Sequence, residues 1–355
     1  MGITNTPLKT LELAEYREFR QSNQSRIRNG TRSGIGIGFY LEMGGVGALH
    51  MLPTKGSNYA PNESARVRLY KNGRVKVFTG VAPTGQGLET TLAQIVAEEL
   101  GVPLSSVDII HGDTETCPYS GDGTIASRSA NMSGNAVFLA SKRLNRTLED
   151  RARMKLGLNP GSLMSLEGET IVTQYGRVSL DELFGDTSFI EETEFYVPQT
   201  TSGTTAYGIQ IADVEIDEDT GKIKVTKLTT VHDCGRMLNP AIVEGMTQGG
   251  CAQGVSAALL EEVAYGDDGS ITTTTFGDYL IPTALEMPEL VSAHTVTLSP
   301  TNPLGVKGGG EGGIIGAPAA IANAVCDAYS PDELSLSRMV TRPENLFFKI
   351  RKLEK

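Results

Sequence analysis

The chain of 355 residues is poor in the features that would place it in several functional classes. Its net charge of −11 shows no basic excess, and since nucleic-acid grooves announce themselves as basic patches, that class is disfavoured; a local basic pocket for an anionic cofactor stays open. Cysteine is sparse and scattered. Cys117, Cys234, Cys251 and Cys326 form no CxxC pair, which argues against zinc or iron–sulfur ligation by this chain alone and predicts reduced thiols in a cytosolic protein. His50, His111, His232 and His294 show neither HxH nor HExxH spacing, so no histidine-built metal site is expected. No apolar run approaches the roughly 18 residues of a membrane span, and the N-terminus lacks a charged segment followed by an apolar core. A cytoplasmic location is the expectation.

Glycine, by contrast, is abundant: 41 residues, about 12% against a usual share of about 7%. Without a collagen-like period these glycines belong to turns and ligand loops. The densest stretch, Gly308-Gly309-Gly310-Glu311-Gly312-Gly313, sets one carboxylate in a turn almost stripped of side chains, just ahead of a helical pattern running through Ala319, Ala320, Val325 and Ala328 with Pro318 in its first turn. Such a carboxylate either faces a reacting centre as a base or simply complements a helix N-terminus.

The pattern along the chain predicts mixed elements. Residues Leu8 to Ile27 read as a linker helix that docks on something else, so residues 1–30 are set apart from 31–355, within which a soft boundary between two lobes falls near 157–168. Arg66 to Phe78 alternates around Asn72-Gly73, a strong hairpin signal. A helix follows Gly85-Gln86-Gly87, with Leu88, Leu92, Ile95 and Val96 on one face and Gly101 as its left-handed cap. Val107 to His111 reads as a strand, Gly112 to Ser129 as a long polar loop, and Asn131 to Lys155 as a second helix burying Val137, Ala140, Leu144 and Leu148. Further strands cover Thr170 to Val172, Val178 to Leu180, Ile209 to Ile216 and Ile223 to Val231. Asn239-Pro240 caps a helix reaching about Val263, in which Gly249, Gly250 and Gly254 cost roughly 1 kcal/mol each unless a ligand or another backbone comes close. Without regular βαβ alternation, α+β is the expected class.

Glycine-rich segments at 84–87, 121–129 and 307–311 suit a large, phosphate-bearing cofactor, since bare amides at helix entrances bind phosphate and Arg128 or Lys307 add charged donors. None matches GxGxxG or the P-loop in its required setting. The series Gly85-Gln86-Gly87-Leu88, Ala93 through Gly101, Gly112-Asp113-Thr114, Gly123 through Ser129, His232-Asp233-Cys234-Gly235-Arg236, Asn239-Pro240, Gln253-Gly254, Asp278-Tyr279 and Gly305 to Ala317 resembles, in order, the signatures of the molybdenum hydroxylases, the family of xanthine dehydrogenase and aldehyde oxidoreductase. Similarity runs from about Gly34 to Phe348 and covers the C-terminal half of that family's molybdopterin-binding large subunit.

The resemblance implies a two-lobed α+β molybdopterin-binding domain and roles at matching positions. Glu311 would be the base that takes a proton from a molybdenum-bound hydroxyl. Gly85, Gln86 and Gly87, then Ala126, Ser127, Arg128 and Ser129, and Gln253, would hold the pterin and its pyrophosphate or cytidine tail; Ile125 and Ala126 also fall at substrate-facing positions. Lys307, Gly308, Gly309 and Gly310 would bring the base beside molybdenum, which is held through the pterin dithiolene with no protein ligand. Phe39, Tyr40, Glu42 and Met43 are candidates for the substrate pocket, and Asp233 with Arg236 for a structural pair. The resemblance further implies molybdopterin cytosine dinucleotide as cofactor, and a companion molybdopterin subunit with [2Fe-2S] and FAD subunits as partners. Met1 would lie in the connection between the halves, the layout of a split gene, as in the medium molybdopterin subunit of nicotinate dehydrogenase, or of a partial chain. The implied activity is hydroxylation of an N-heteroaromatic such as nicotinate or a purine. The alternatives are an aldehyde-oxidising member and a catalytically silent scaffold.

Overall fold

Alternation with glycine at every second position organises one half of the molecule. In strand β2 (Thr31–Gly44), Gly34, Gly36 and Gly38 share a face, and a Cβ at any of them would run into the backbone of helix α7 (Gly312–Tyr329). The absence of side chains lets helix and strand lie in direct backbone contact. The structure, a computed structural model, describes residues 2–22, 27–28, 30–45, 62–121, 123–157, 164–198, 203–329, 334, 336 and 342–353.

β2 belongs to a sheet ordered β1 (Ile27–Arg28), β2, β10 (Thr204–Asp217), β11 (Ile223–Asp233) and β12 (Glu289–His294), antiparallel until β12 joins in parallel. Helices α6 (Pro240–Leu259), α7 and α8 (Pro343–Leu353) bury Val214, Leu228, Val255, Ile321, Val325 and Leu346 with it. The expected helix over Leu8 to Ile27 is two short helices, α1 (Gly2–Leu13) and α2 (Tyr16–Ser22), broken at Glu15, whose φ is 53°. That bend lets Ala14 bury against Ile35, Ile209 and Ile211 on the sheet's other face, with Leu11, Tyr16 and Phe19 around it. A straight helix would not follow the sheet.

The other half is a sheet ordered β5 (Val107–Ile110), β4 (Val75–Thr79), β3 (Glu63–Tyr70) and β9 (Phe189–Tyr196), covered by α3 (Leu88–Leu100) and α4 (Ser129–Leu156). The β3–β4 hairpin turns at Gly73, φ 73°, as Asn72-Gly73 predicts, and α3 stops at left-handed Gly101, whose amide donates to Ala97. A small sheet, β6 (Met164–Glu167), β7 (Thr170–Thr173) and β8 (Gly176–Ser179), leads into α5 (Leu180–Phe184), closed by a Ser179/Glu182 capping box. Val67, Val77, Leu92, Val137, Leu144, Leu166 and Ile190 share one core. In the interval 157–168, where the sequence places a soft lobe boundary, Leu166 belongs to this core, as do Ala152 before the interval and Ile171 after it. The chain passes between the two larger sheets from β2 to β3 and from β9 to β10.

The architecture is α+β. Among the described residues, no helix is long and apolar enough to cross a membrane. Two helix bounds differ from expectation: α6 stops at Leu259 rather than Val263, and α7 begins at Gly312, so Pro318 is its seventh residue and not in its first turn. Of the glycines inside α6, Gly250 and Gly254 meet α7, where added Cβ atoms would sit 2.8 Å from Gly313 and 2.6 Å from Ala317; Gly249 faces open space.

Candidate active site

At the junction of the two halves, loops distant in sequence enclose a cavity of about 270 Å³. Gln86 enters from the turn before α3; Ile125, Ala126, Ser127, Arg128 and Ser129 come from the loop that starts α4; Lys307, Gly309, Gly310 and Glu311 come from the loop before α7. Ala126 and Ser127 hold left-handed φ of 47° and 49°, values that non-glycine residues adopt at a cost, which fixes a tight turn above the N-terminus of α4. Glu311 is exposed at the cavity's rim immediately before α7, so both the base and the helix-dipole readings are geometrically satisfied.

Two residues of the cavity lining carry unsatisfied donors. Gln86 accepts the Thr84 amide through Oε1 at 2.7 Å, while its buried Nε2 has no partner among the described residues; the N-cap of α3 is Gly87, so Gln86 does not cap that helix. Arg128 is 1% exposed, pairs with Glu63 through Nη1, and leaves buried Nε and Nη2 without partners. Buried donors of this kind cost free energy unless an acceptor is supplied, so the set fits an anionic, acceptor-rich group reaching the first turn of α4.

Beneath the 307–312 loop lies a buried polar floor. The Lys307 ammonium donates to Asp233 at 2.9 Å and sits 4.5 Å from the Tyr207 ring centre, and Asp233 also accepts the Gly235 amide and the Tyr207 and Thr295 hydroxyls. Burial raises the Asp233 carboxyl, but the Lys307 ammonium and the Gly235 amide outweigh it and hold it below the usual carboxylate range. Lys307 therefore lines the cavity with its stem while its charge anchors the loop. Tyr40 and His232 hydrogen-bond at 2.6 Å; burial, with His294 nearby, pushes the His232 imidazole down to about 4, so it is neutral. Burial pushes the Cys234 thiol up to about 11. A Cβ on Gly309 would come 3.0 Å from Cys234 Cβ and 3.2 Å from His232 Nε2, a tight contact that those side chains would have to yield to by a few tenths of an ångström.

Other sequence candidates lie elsewhere. Gln253 is exposed on the outer face of α6 and does not line the cavity. Gly85 borders it without lining it, and Gly308 is wedged against Ser127 and Gly44. Tyr40 and Glu42 face the buried side of β2, Phe39 and Met43 the exposed side, and none of the four lines the cavity. The expected Asp233–Arg236 pair does not form: Arg236 donates to the Leu304 carbonyl at 2.7 Å, and Lys307 takes Asp233. Glu63, Ile242, Val243 and Met246 escaped the sequence reading. The last three follow Asn239, whose side chain caps α6 by accepting the Ile242 amide at 3.0 Å and so aims that first turn at the cavity.

Similarity to known proteins identifies the family. The molybdopterin cofactor-binding domain family matches residues 9–288, and the chain belongs to it, within the molybdenum hydroxylases. Among curated relatives, the gamma subunit of the 6-hydroxypseudooxynicotine dehydrogenase complex of Paenarthrobacter nicotinovorans is 33% identical over 98% of this chain and 43% of its own length. The nicotine 6-hydroxylase large subunit of the same organism is 34% identical over 94% and 42%. Quinoline 2-oxidoreductase from Pseudomonas putida 86 superimposes with a TM-score of 0.87 at 35% identity, over 98% of this chain and 45% of that one. The chain thus spans less than half the length of the relatives it matches.

Proposed function

We propose that this chain is the molybdopterin-binding part of a multi-subunit molybdenum hydroxylase that hydroxylates an N-heteroaromatic, nicotinate- or purine-like substrate, with Glu311 as its base. The observation that carries the reading is the convergence of the 86, 125–129 and 307–311 loops on one cavity, with buried unpartnered donors on two of its lining residues and a carboxylate at the rim. Nicotine and quinoline in the names of relatives support a nitrogen heteroaromatic.

When bound, the molybdopterin group supplies the redox centre that delivers a water-derived oxygen and accepts the electron pair. Gln86 Nε2, Arg128 Nε and Nη2 and the first turn of α4 would hold its phosphates, with cytosine dinucleotide as the nucleotide form. Glu311 takes a proton, and Gly309 and Gly310 let the reacting atoms approach the backbone. The balance is R–H and water giving R–OH, two protons and two electrons, and the electrons leave through [2Fe-2S] and FAD subunits. Residues 31–355 would form the cofactor-binding unit, with residues 1–30 packed on its sheet and a companion polypeptide supplying the other half. The exposed apolar residues of segment 263–286 support that partner, since a surface of this kind calls for cover.

The test is reconstitution with the partner subunits and assay of nicotinate, xanthine and an aldehyde. Preference for the aldehyde removes the substrate assignment. Glu311→Gln is expected to lower turnover by about 10²- to 10⁴-fold with molybdenum content intact; unchanged turnover refutes its role as base.

A further inference from the structure

We propose that Glu42 is a positioning residue for the Glu311 loop, a buried carboxylate that ties β2, the 126–128 turn and the start of α7 into one frame. Its catalytic consequence rests on the reading of Glu311 as base; its structural consequence does not. Glu42 is 5% exposed and projects from the same side of β2 as the glycines that touch α7. Its Oε1 accepts the Ser127 hydroxyl. Ser127 Oγ in turn accepts the Gly310 amide at 3.1 Å. The Gly45 amide donates to the Ala126 carbonyl at 3.2 Å, fastening the end of β2 to the same turn.

The three segments also touch through backbone. A Cβ on Gly308 would lie 2.7 Å from Ser127 Cβ and 2.9 Å from Gly44 Cα, so no side chain separates them there. Glu42 Oε2 has no partner among the described residues. A buried, half-satisfied carboxylate costs more than an apolar residue of its size would. Its benefit is geometric: through Ser127 it sets the Gly310 amide, and so fixes where the next residue, Glu311, leaves the loop. Neither Glu42 nor its bond to Ser127 follows from the glycine-rich motif alone.

Amide hydrogen exchange on the full chain tests this without any turnover. Glu42→Ala leaves the Ser127 hydroxyl without its anchor and is expected to speed exchange at Gly310 by about tenfold or more, with α4 amides unchanged. Glu42→Gln keeps an acceptor oxygen, and exchange at that amide is expected to stay within about twofold of the parent. Ser127→Ala removes the Gly310 acceptor and is expected to release Gly310 at least as much. Should Glu42→Ala loosen the entire chain, the Ser127→Ala result decides: selective release at Gly310 sustains the frame, and none overturns it. Equal exchange in the parent and Glu42→Ala chains overturns it outright. In reconstituted enzyme, Glu42→Ala is expected to lower kcat by about 10²-fold with KM nearly unchanged, rescued by Glu42→Gln, because displacement of a reacting group by about 1 Å carries that penalty. If Glu311→Gln leaves turnover intact, the base assignment fails while exchange still judges the anchor.

Discussion

The floor under the 307–312 loop and the segment 263–286 differ in almost every physical respect. On the floor, Asp233 and His232 are at most 1% exposed, Lys307 is 8% exposed, and ion pairs and hydrogen bonds from β10, β11 and the 295–297 segment meet there. Segment 263–286 has no buried residue, yet carries Val263, Tyr265, Ile271, Phe276, Leu280, Ile281 and Leu285 in exposed positions, up to 92% for Leu285. Its shape is held by local turns, such as Asp278 accepting from Thr274 and Thr275, together with the Tyr279–Glu261 hydrogen bond. The Lys307–Asp233 pair and its hydroxyl and amide partners all come from this chain, although His232 Nε2 has no partner among the described residues. The segment is ordered by short-range bonds, while its apolar area is left for another surface to bury.

That contrast can be broken by substitution. The largest effect is expected from Lys307→Met, which strands Asp233 as a buried unpaired charge; chemical denaturation should show a loss of about 3–5 kcal/mol. A loss under 1 kcal/mol would mean that solvent reaches the floor.

Next is His232. Its folded imidazole stays neutral down to about pH 4, whereas in the unfolded chain it protonates near 6.5. Between those values the unfolded state binds the extra proton, so stability falls as pH drops from about 6.5 toward 4, by about 3 kcal/mol at most. Asp213, raised by burial to about 6, acts in the opposite sense, gaining stability as pH falls below 6. The informative quantity is therefore the difference between the parent and His232→Gln, which should narrow as pH is lowered through that window. A constant difference would show that the imidazole reaches water.

A smaller effect separates two glycines of one helix. Gly250→Ala pushes a methyl into α7 and should destabilise by about 1–3 kcal/mol, whereas Gly249→Ala, facing open space, should stabilise the isolated chain by about 1 kcal/mol. If Gly249→Ala also weakens assembly with the partner, the covered surface extends along α6. The smallest is Leu285→Ser: within about 0.5 kcal/mol for the chain alone by denaturation, with any loss appearing only in association.

Much of the local structure was legible. Asn72-Gly73, the 3.6-residue spacing of Leu88, Leu92, Ile95 and Val96, Gly101 and Asn239-Pro240 each encode an element within a few residues, and each stands where expected. Ser127, Arg128 and Glu311, singled out through the order of motifs, line one cavity. Gln253 was placed with them, yet it faces solvent on α6; helix phase relative to the cavity depends on which face α7 occupies, and Gly250 and Gly254 settle that. Lys307 illustrates the same limit. Its presence beside the glycines was readable, but its partner, Asp233, lies on another strand, and the nearer Arg236 turns instead to a carbonyl.

By itself, the sequence determined the turns, caps, helix faces and the family, because those depend on residues a few positions apart or on motif order. Tertiary structure alone decided that β1 and β2 join a sheet whose other strands follow the whole second sheet, that Glu42 reaches Ser127, and that Arg128 finds Glu63. These are meetings between side chains dozens to hundreds of residues apart. Their energies come from burial and pairing in a shared interior, and no local pattern records which segments will share it.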